Sequence, residues 1–363
     1  MIRKIRACPH PYRKGEPDLK QRITQWLGVP LILLILLIIL AIGFSNGEIV
    51  SAAAILRGLS PYTVLGCLVC FAGYIVFDAL GIHSALRRQG YRPRFRDTLM
   101  VSVRGQYYYY ITPGASGGQP MQIYYLRELG IPAGAGTSVL VCHFVAFQTM
   151  LALLMTVFAV PHWGYIRENV GANFPLLVIG YLVNAAGVAF ALICSLTRGP
   201  VRLLIRFCDF FIRKLRLSRH PEELHRRLLD TVELFHTSAA KVFQHPVEIV
   251  LQMFYGAMQQ LCLMSVLYVI YRGLGHSAAG LGQILAMGFV QYVSASYVPI
   301  PGASGAQEGV FTLYFGAIFG AHCFAAMMIW RTTTFYLPLL VSAGTIIARR
   351  IRKRKVQAGH PAE

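Results

Sequence analysis

The sequence predicts an all-α polytopic membrane protein, with about six full transmembrane helices and two re-entrant broken-helix hairpins in an inverted repeat. Three observations carry that expectation. Apolar residues make up 55% of the 363 and charged residues only 13%, with a mean hydropathy of +0.53; soluble chains carry about 25% charged residues. The net charge of +19 is unevenly placed, because 28 of the 34 Lys and Arg lie in 1–26, 84–96, 198–246 and 349–363, between apolar spans. Cytoplasmic loops show that pattern, so the basicity points to topology and anionic headgroups rather than to nucleic acid. Third, residues 113–119 read Pro-Gly-Ala-Ser-Gly-Gly-Gln and residues 301–307 read Pro-Gly-Ala-Ser-Gly-Ala-Gln, identical at six of seven positions across a spacing of 188.

The elements follow in order. Residues 1–26 form a cytoplasmic N-terminal segment whose seven basic residues precede an uncharged run at 27–44, long enough to span. No small-residue cleavage site follows that run, so a cleavable signal peptide is not expected. Residues 62–82 return through the membrane with Asp78 near the inner end, and the arginines of 84–96 hold the next loop inside. The first broken segment occupies about 97–130, then 134–160 spans, 161–174 is a short loop and 175–196 spans again. These elements make up the first half, 27–196.

Residues 197–246 are a basic cytoplasmic connector. There Leu204, Phe207, Phe211 and Leu215 repeat at helical spacing opposite Arg202, Arg206, Arg213 and Lys214, as in a helix lying on the membrane surface. A second amphipathic helix follows Pro221, with Leu224, Leu228, Val232 and Phe235 on one face. The second half, 247–347, contains a span at 247–271, the second broken segment at 282–320 and a span at 324–347. A basic tail, 348–363, closes the chain on the inside. If each broken segment crossed once, the ten basic residues of 198–246 would lie outside. Both segments therefore cross an even number of times, which makes them re-entrant and the halves inverted, with both termini cytoplasmic in a plasma membrane.

Proline and glycine release backbone hydrogen bonds, which is tolerable at membrane depth only beside protein or a water-filled cavity. Matching breaks in two halves point to a transporter-type site. The elbows Pro113-Gly114 and Pro301-Gly302 each precede a Ser-x-x-Gln spacing, Ser116 to Gln119 and Ser304 to Gln307. Such a capping box would start a new helix and leave its amides, with those of Gly117 and Gly305, open to an anion. Pro120 suits a helix beginning nearer Gln119. A tight loop between two short helices is the alternative.

Ionisable residues inside a membrane cost roughly 2.5–3.5 kcal/mol on insertion scales, so they are functional candidates. Four stand out: Asp78, Arg104, Glu308 and Arg331. Arg331 suits a headgroup phosphate because its planar fork binds phosphate bidentately. Glu308 can pair with Arg331 or receive a cationic headgroup, and a purely structural Glu308–Arg331 pair is the alternative. Asp78 with Arg104 reads as a structural pair. The repeat spacing places His143 where the second half has Arg331, although a lone histidine on an apolar helix is commonly a core residue. A run of four tyrosines, Tyr107 to Tyr110, cannot all face lipid, so some should line a cavity; Tyr124, Tyr125, Tyr292 and Tyr297 lie near the elbows. Cys67 and Cys70 form a Cys-x-x-Cys in an apolar span without a second pair at metal spacing, so buried thiols are expected and no metal or cofactor.

At these residues the sequence resembles a known family. Ile111 to Pro120, Tyr124-Tyr125-Leu126, the stretch 298–309 and Trp330-Arg331 are similar to the lysylphosphatidylglycerol synthase/flippase transmembrane family, across roughly 27–347. Members commonly show Gly-Gly-Glu-Pro and then Arg at the first elbow, whereas here Gln119 and Gln122 stand in those places. The resemblance implies movement of phosphatidylglycerol or its aminoacyl ester to the outer leaflet, with resistance to cationic peptides. In two-part members a soluble domain makes the lipid from aminoacyl-tRNA. With only a short basic tail after the last span, no such half is expected here, and a separate synthase subunit would be a partner. The leading expectation is thus a flippase-like lipid transporter without catalytic residues. The alternatives are a phosphatidylglycerol lysyltransferase-type enzyme and a non-transporting lipid-binding scaffold. Proton coupling through Glu308 or His143 is compatible with the sequence.

Overall fold

The computed structural model describes residues 57–197, 246–296 and 298–358, with Leu37, Ala54 and Ile55. The expected span at 27–44, the amphipathic helices of the connector and Tyr297 lie outside the described residues. Within them the chain is helical: α1 Pro61–Arg88, α2 Phe95–Ile111, α3 Gly118–Glu128, α4 Ala133–Ala159, α5 Trp163–Val170, α6 Phe174–Leu196, α7 Pro246–Gly273, α8 Leu281–Ala295, α9 Ala306–Phe319, α10 Cys323–Arg331 and α11 Leu337–Ala358. A π-helical turn, Thr332–Tyr336, joins α10 to α11.

Among the described residues, five stretches are long and apolar enough to cross a membrane: Pro61–Arg88, Ala133–Ala159, Trp163–Ala189, Pro246–Gly273 and Ala306–Arg352. Their outer faces leave large apolar side chains uncovered, Leu65 at 57%, Ile179 at 59% and Leu340 at 69% exposure. Water would penalise such contiguous apolar surface, whereas hydrocarbon does not. Local chemistry sets the helix ends. Ser60 accepts from the Tyr62 N–H at 3.3 Å while Pro61 opens α1, and Arg87 and Arg88 close it, where cations favour the helix terminus. The expected loop at 161–174 instead contains α5, because Ile166 and Val170, one helical turn apart, are buried as α5 packs on α8 and α9.

The two broken segments fold as antiparallel hairpins. In the first, a Cβ on Gly105 would meet Gln122 and one on Gly118 would meet Tyr109, so α2 and α3 run side by side in opposite directions. In the second, Gln291 donates to the Gln307 side chain at 2.6 Å and Tyr314 to Ser294 at 3.1 Å. The longest of these arms has 17 residues and reaches about 26 Å, short of a bilayer core of about 30 Å. The elbow tips meet. Pro113 and Pro301 form an isolated antiparallel bridge, the contact of equivalent residues that a two-fold relation between the halves requires.

Each elbow places a glycine and then an alanine in the left-handed region, Gly114 and Ala115 at φ 58° and 56°, Gly302 and Ala303 at 61° and 47°. Alanine there costs about 1–2 kcal/mol. The Ala115 N–H donates to Thr112 O at 3.1 Å and that of Ala303 to Ile300 O at 2.8 Å, which closes both turns. A Cβ on Gly302 would lie 2.1 Å from Phe335, whereas one on Gly114 meets nothing within 4 Å. Gly302→Ala is therefore expected to destabilise by about 1–3 kcal/mol through overpacking, and Gly114→Ala by less. Thermal unfolding of both variants in detergent checks the difference, which isolates the Phe335 contact.

Two apolar clusters hold the helices together. One takes Cys67 from α1 and Leu151 and Met155 from α4, with α7 to α10. The other takes Ile82 and Leu86 from α1 and Val139 and Leu140 from α4, with α2, α3, Phe335 and Ile346. The clusters thus sit at opposite ends of α1 and α4. Beyond α7, His276 Nε2 and His322 Nδ1 lie 3.1 Å apart. Burial first, and then the His322 charge, hold the His276 imidazole below the usual histidine range. The unfolded chain therefore takes up this proton at higher pH than the folded one, so stability is full above about pH 6.5 and falls as pH drops through the lowered value. His276→Asn is expected to lose less thermal stability than the parent when pH is lowered through this window.

Candidate functional site

Between the two clusters lies a cavity of about 380 Å³ walled by both elbows, α1, α2, α4, α7, α8, α10 and the π turn. Its volume lies within the range of small-molecule pockets, near the lower end. Of the residues singled out from the sequence, Asp78, Gly114, Gln119, His143, Gly302, Gln307 and Arg331 line it. Ser304, Glu308 and Gly305 stand directly behind that wall.

Arg331, 3% exposed, is the hub of the second elbow. Its Nε donates to Glu308 Oε1 at 2.6 Å, and its Nη2 to Ser304 Oγ at 3.1 Å and Gly302 O at 3.4 Å. The guanidinium also lies 4.4 Å from the Phe335 ring centroid, a cation–π contact. Among the described residues its Nη1 makes no hydrogen bond. The Glu308–Arg331 pair anticipated from the sequence is thus present.

The capping expectation is corrected. Ser304 does not cap α9 with Gln307 at the third position. The cap is Gly305 at φ 87°, and Glu308 reaches back to its N–H at 2.6 Å, which leaves Ser304 free to bond Arg331. Gln307 instead accepts from Gln291 and donates to Ser296 at 3.2 Å. At the first elbow Ser116 is exposed, and Thr112 Oγ1 accepts from the Gly117 N–H at 2.8 Å while α3 starts at Gly118. The leading amides at Gly117 and Gly305 are therefore taken by the chain's own oxygens rather than left open to an anion. Pro301 is buried and Pro113 exposed, and Gly305 is left-handed where Gly117 is not, so the elbows differ in surroundings and in how each leads into its helix.

Asp78 does not pair with Arg104. It lies on the α1 face turned to α4 and α7, where its Oδ1 is 3.1 Å from His143 Nε2 and accepts from Gln259 at 3.2 Å. Arg104 sits on the other side of α2, with its guanidinium 5.6 Å from the Tyr125 ring centroid. Tyr125 also faces Arg349, which pairs with Glu128 and pins α11 against α3. His143 and Arg331, equivalent by repeat spacing, both reach the cavity. A Cβ on Gly81 would lie 2.4 Å from the His143 ring, so only glycine leaves that ring room.

The tyrosine run divides as its helical spacing requires. Tyr109 and Tyr110 line the cavity, Tyr108 packs in the second cluster, and the Tyr110 hydroxyl donates to Thr334 O in the π turn at 3.0 Å. The ion-centred reading missed neutral polar groups. Gln106, Gln122, Gln148, Gln259 and Gln291 all line the cavity; their recurrence in apolar helices was the available signal. It also missed Glu248, which is 1% exposed and accepts from Ser84 and Gln252 at 2.8 Å.

Comparison with known proteins agrees with this architecture. A family profile described as "Lysylphosphatidylglycerol synthase TM region" matches residues 25–342. The chain is also 26% identical over 327 residues to a "UPF0104 membrane protein" of Methanothermobacter thermautotrophicus, covering 85% of this chain and 89% of that relative.

Proposed function

The chain belongs to the lysylphosphatidylglycerol synthase transmembrane-region family, and from that premise we propose that it moves an anionic or aminoacylated phospholipid between membrane leaflets. The observation that carries this reading is the cavity at the junction of two hairpins whose equivalent prolines are paired. A site shared by inverted repeats is the arrangement through which secondary transporters alternate access. On this reading Arg331 holds the headgroup phosphate, and the tyrosines and glutamines around it bond glycerol or ester oxygens. Asp78 Oδ2 is buried and has no protein partner among the described residues, so it accepts from a headgroup donor only after the surrounding side chains move. The acyl chains stay in the bilayer. The halves 27–196 and 247–347 rock about the paired elbows, both termini face the cytoplasm, and the membrane is the plasma membrane.

The test is translocation of fluorescent phosphatidylglycerol and of its lysyl ester in reconstituted vesicles. Protein-dependent movement that disappears in a folded double variant, Glu308→Gln with Arg331→Met, supports the reading. Movement no faster than in protein-free vesicles for both lipids would overturn it.

A further inference from the structure

The hydrogen bonds around His143 determine where its protons lie. Gln252 Nε2 is 2.8 Å from Gly81 O, 2.8 Å from Glu248 Oε1 and 3.0 Å from Ser84 Oγ. A carbonyl and an ionised carboxylate only accept, so the amide nitrogen must face them. The Gln252 oxygen therefore faces His143 Nδ1, at 3.0 Å. An amide oxygen only accepts as well, so Nδ1 carries a hydrogen.

That leaves two states for Nε2, which lies 3.1 Å from Asp78 Oδ1. With no proton in the gap, the lone pair of a neutral imidazole faces a carboxylate and no hydrogen bond exists. With one proton in the gap, on either partner, the contact is a charge-assisted hydrogen bond. The loaded pair is neutral and the empty pair carries one negative charge. Both residues line the cavity, and Asp78 Oδ2 meets no protein donor among the described residues.

We propose that Asp78 and His143 form a proton-binding site in the cavity wall, and that the protein couples lipid movement to the uptake and release of one proton. Asp78 Oδ2 is buried; once a side-chain movement opens it to a headgroup ammonium or hydroxyl, that donor stabilises the empty, anionic pair and so expels the proton. Departure of the headgroup restores the proton. Linkage makes the effect reciprocal, so loading the proton weakens the hold on that donor. The titratable and charged surroundings are Tyr74 on α1, Tyr109 and Tyr110 on α2, Tyr292 on α8 and Arg331 on α10, which share the cavity. Glu248 on α7 lies behind Gln252 and is 3.6 Å from Arg88. Gln252 and Gly81 position the ring. The proton site stands on hydrogen-bond geometry alone, whereas its coupling rests on the transport proposed above.

Two measurements on the full chain test these parts separately. The first is pH-difference infrared spectroscopy with ring-labelled histidine, on the parent, His143→Gln and Asp78→Asn. The chain has 11 histidines, so the site is read as the one imidazole or carboxyl band that titrates in the parent and is missing from both variants, each first shown to fold by its circular dichroism and elution. Folded variants that keep every titrating band of the parent would overturn the site. The second is the steady-state leaflet distribution of lysyl-phosphatidylglycerol in vesicles with a pH difference across the membrane. One coupled proton shifts that distribution about tenfold per pH unit, and His143→Gln should abolish the shift. A lipid that moves without responding to the gradient would overturn the coupling. Titrating bands without any lipid movement would remove the flippase reading and leave the proton site standing.

Discussion

Replacing Arg331 with alanine is expected to destabilise the protein by about 3–5 kcal/mol, the loss that follows when one member of a buried ion pair is removed. Glu308 is 5% exposed, and its second carboxylate oxygen is already committed to the Gly305 N–H at 2.6 Å. Without Arg331 that carboxylate is left in an apolar surround without its partner, and the links from α10 to Ser304 and the Gly302 carbonyl are lost. An apparent melting temperature lower by roughly 6 °C or more in detergent is expected. The double substitution Glu308→Gln with Arg331→Met removes both charges and keeps the volume, so it should lie within about 1–2 kcal/mol of the parent. Lipid movement separates the two roles. If Arg331 binds phosphate, the double variant folds and does not translocate. A double variant that folds and translocates at the parent rate would reduce Arg331 to a fastener between α10 and the second elbow.

The repeated Pro-Gly-Ala-Ser-Gly motif made the hairpins and their relation legible, because proline and glycine dictate local backbone wherever they occur. The matching motifs gave matching turns at Gly114-Ala115 and Gly302-Ala303, with alanine left-handed at the same place in each, but part at the capping glycine, φ −84° at Gly117 and 87° at Gly305. What the motif could not reveal was the surroundings. Ser304 and Ser116 are equivalent in sequence, yet one bonds Arg331 and the other is exposed, because only the second elbow has an arginine behind it. Spacing likewise put a charge at Asp78 and at Arg104 without saying which helix face each occupies. That depends on how α1 and α2 rotate against their neighbours, a property of packing. The π turn at Thr332–Tyr336, which brings the Thr334 carbonyl to Tyr110, leaves no compositional trace. Glu248 was hidden by its position beside the basic connector, where an acidic residue in the first turn of a helix reads as an ordinary dipole partner.

Truncating that glutamate is expected to have the second largest effect. Glu248→Ala removes the acceptor of Ser84 and Gln252, and the expected loss is about 2–3 kcal/mol, since hydrogen bonds to charged groups contribute most. Arg88→Ala should lose under about 1 kcal/mol, because that side chain is 43% exposed and 3.6 Å from the carboxylate. The asymmetry tests whether Glu248 acts as a buried acceptor or as half of a surface ion pair; equal losses would favour the ion pair. The network makes a further demand. Glu248 helps orient Gln252, and Gln252 fixes the His143 ring, so the losses in Glu248→Ala and His143→Gln should not add. A double-mutant cycle is expected to return a coupling of about 0.5–3 kcal/mol, as for residues in one hydrogen-bond network. Additive losses would show that Gln252 holds its orientation through Gly81 and Ser84 alone. In that case the protons on His143 are set by Gly81 and Ser84 of α1 acting through Gln252 of α7, and the Glu248 carboxylate only anchors the start of α7.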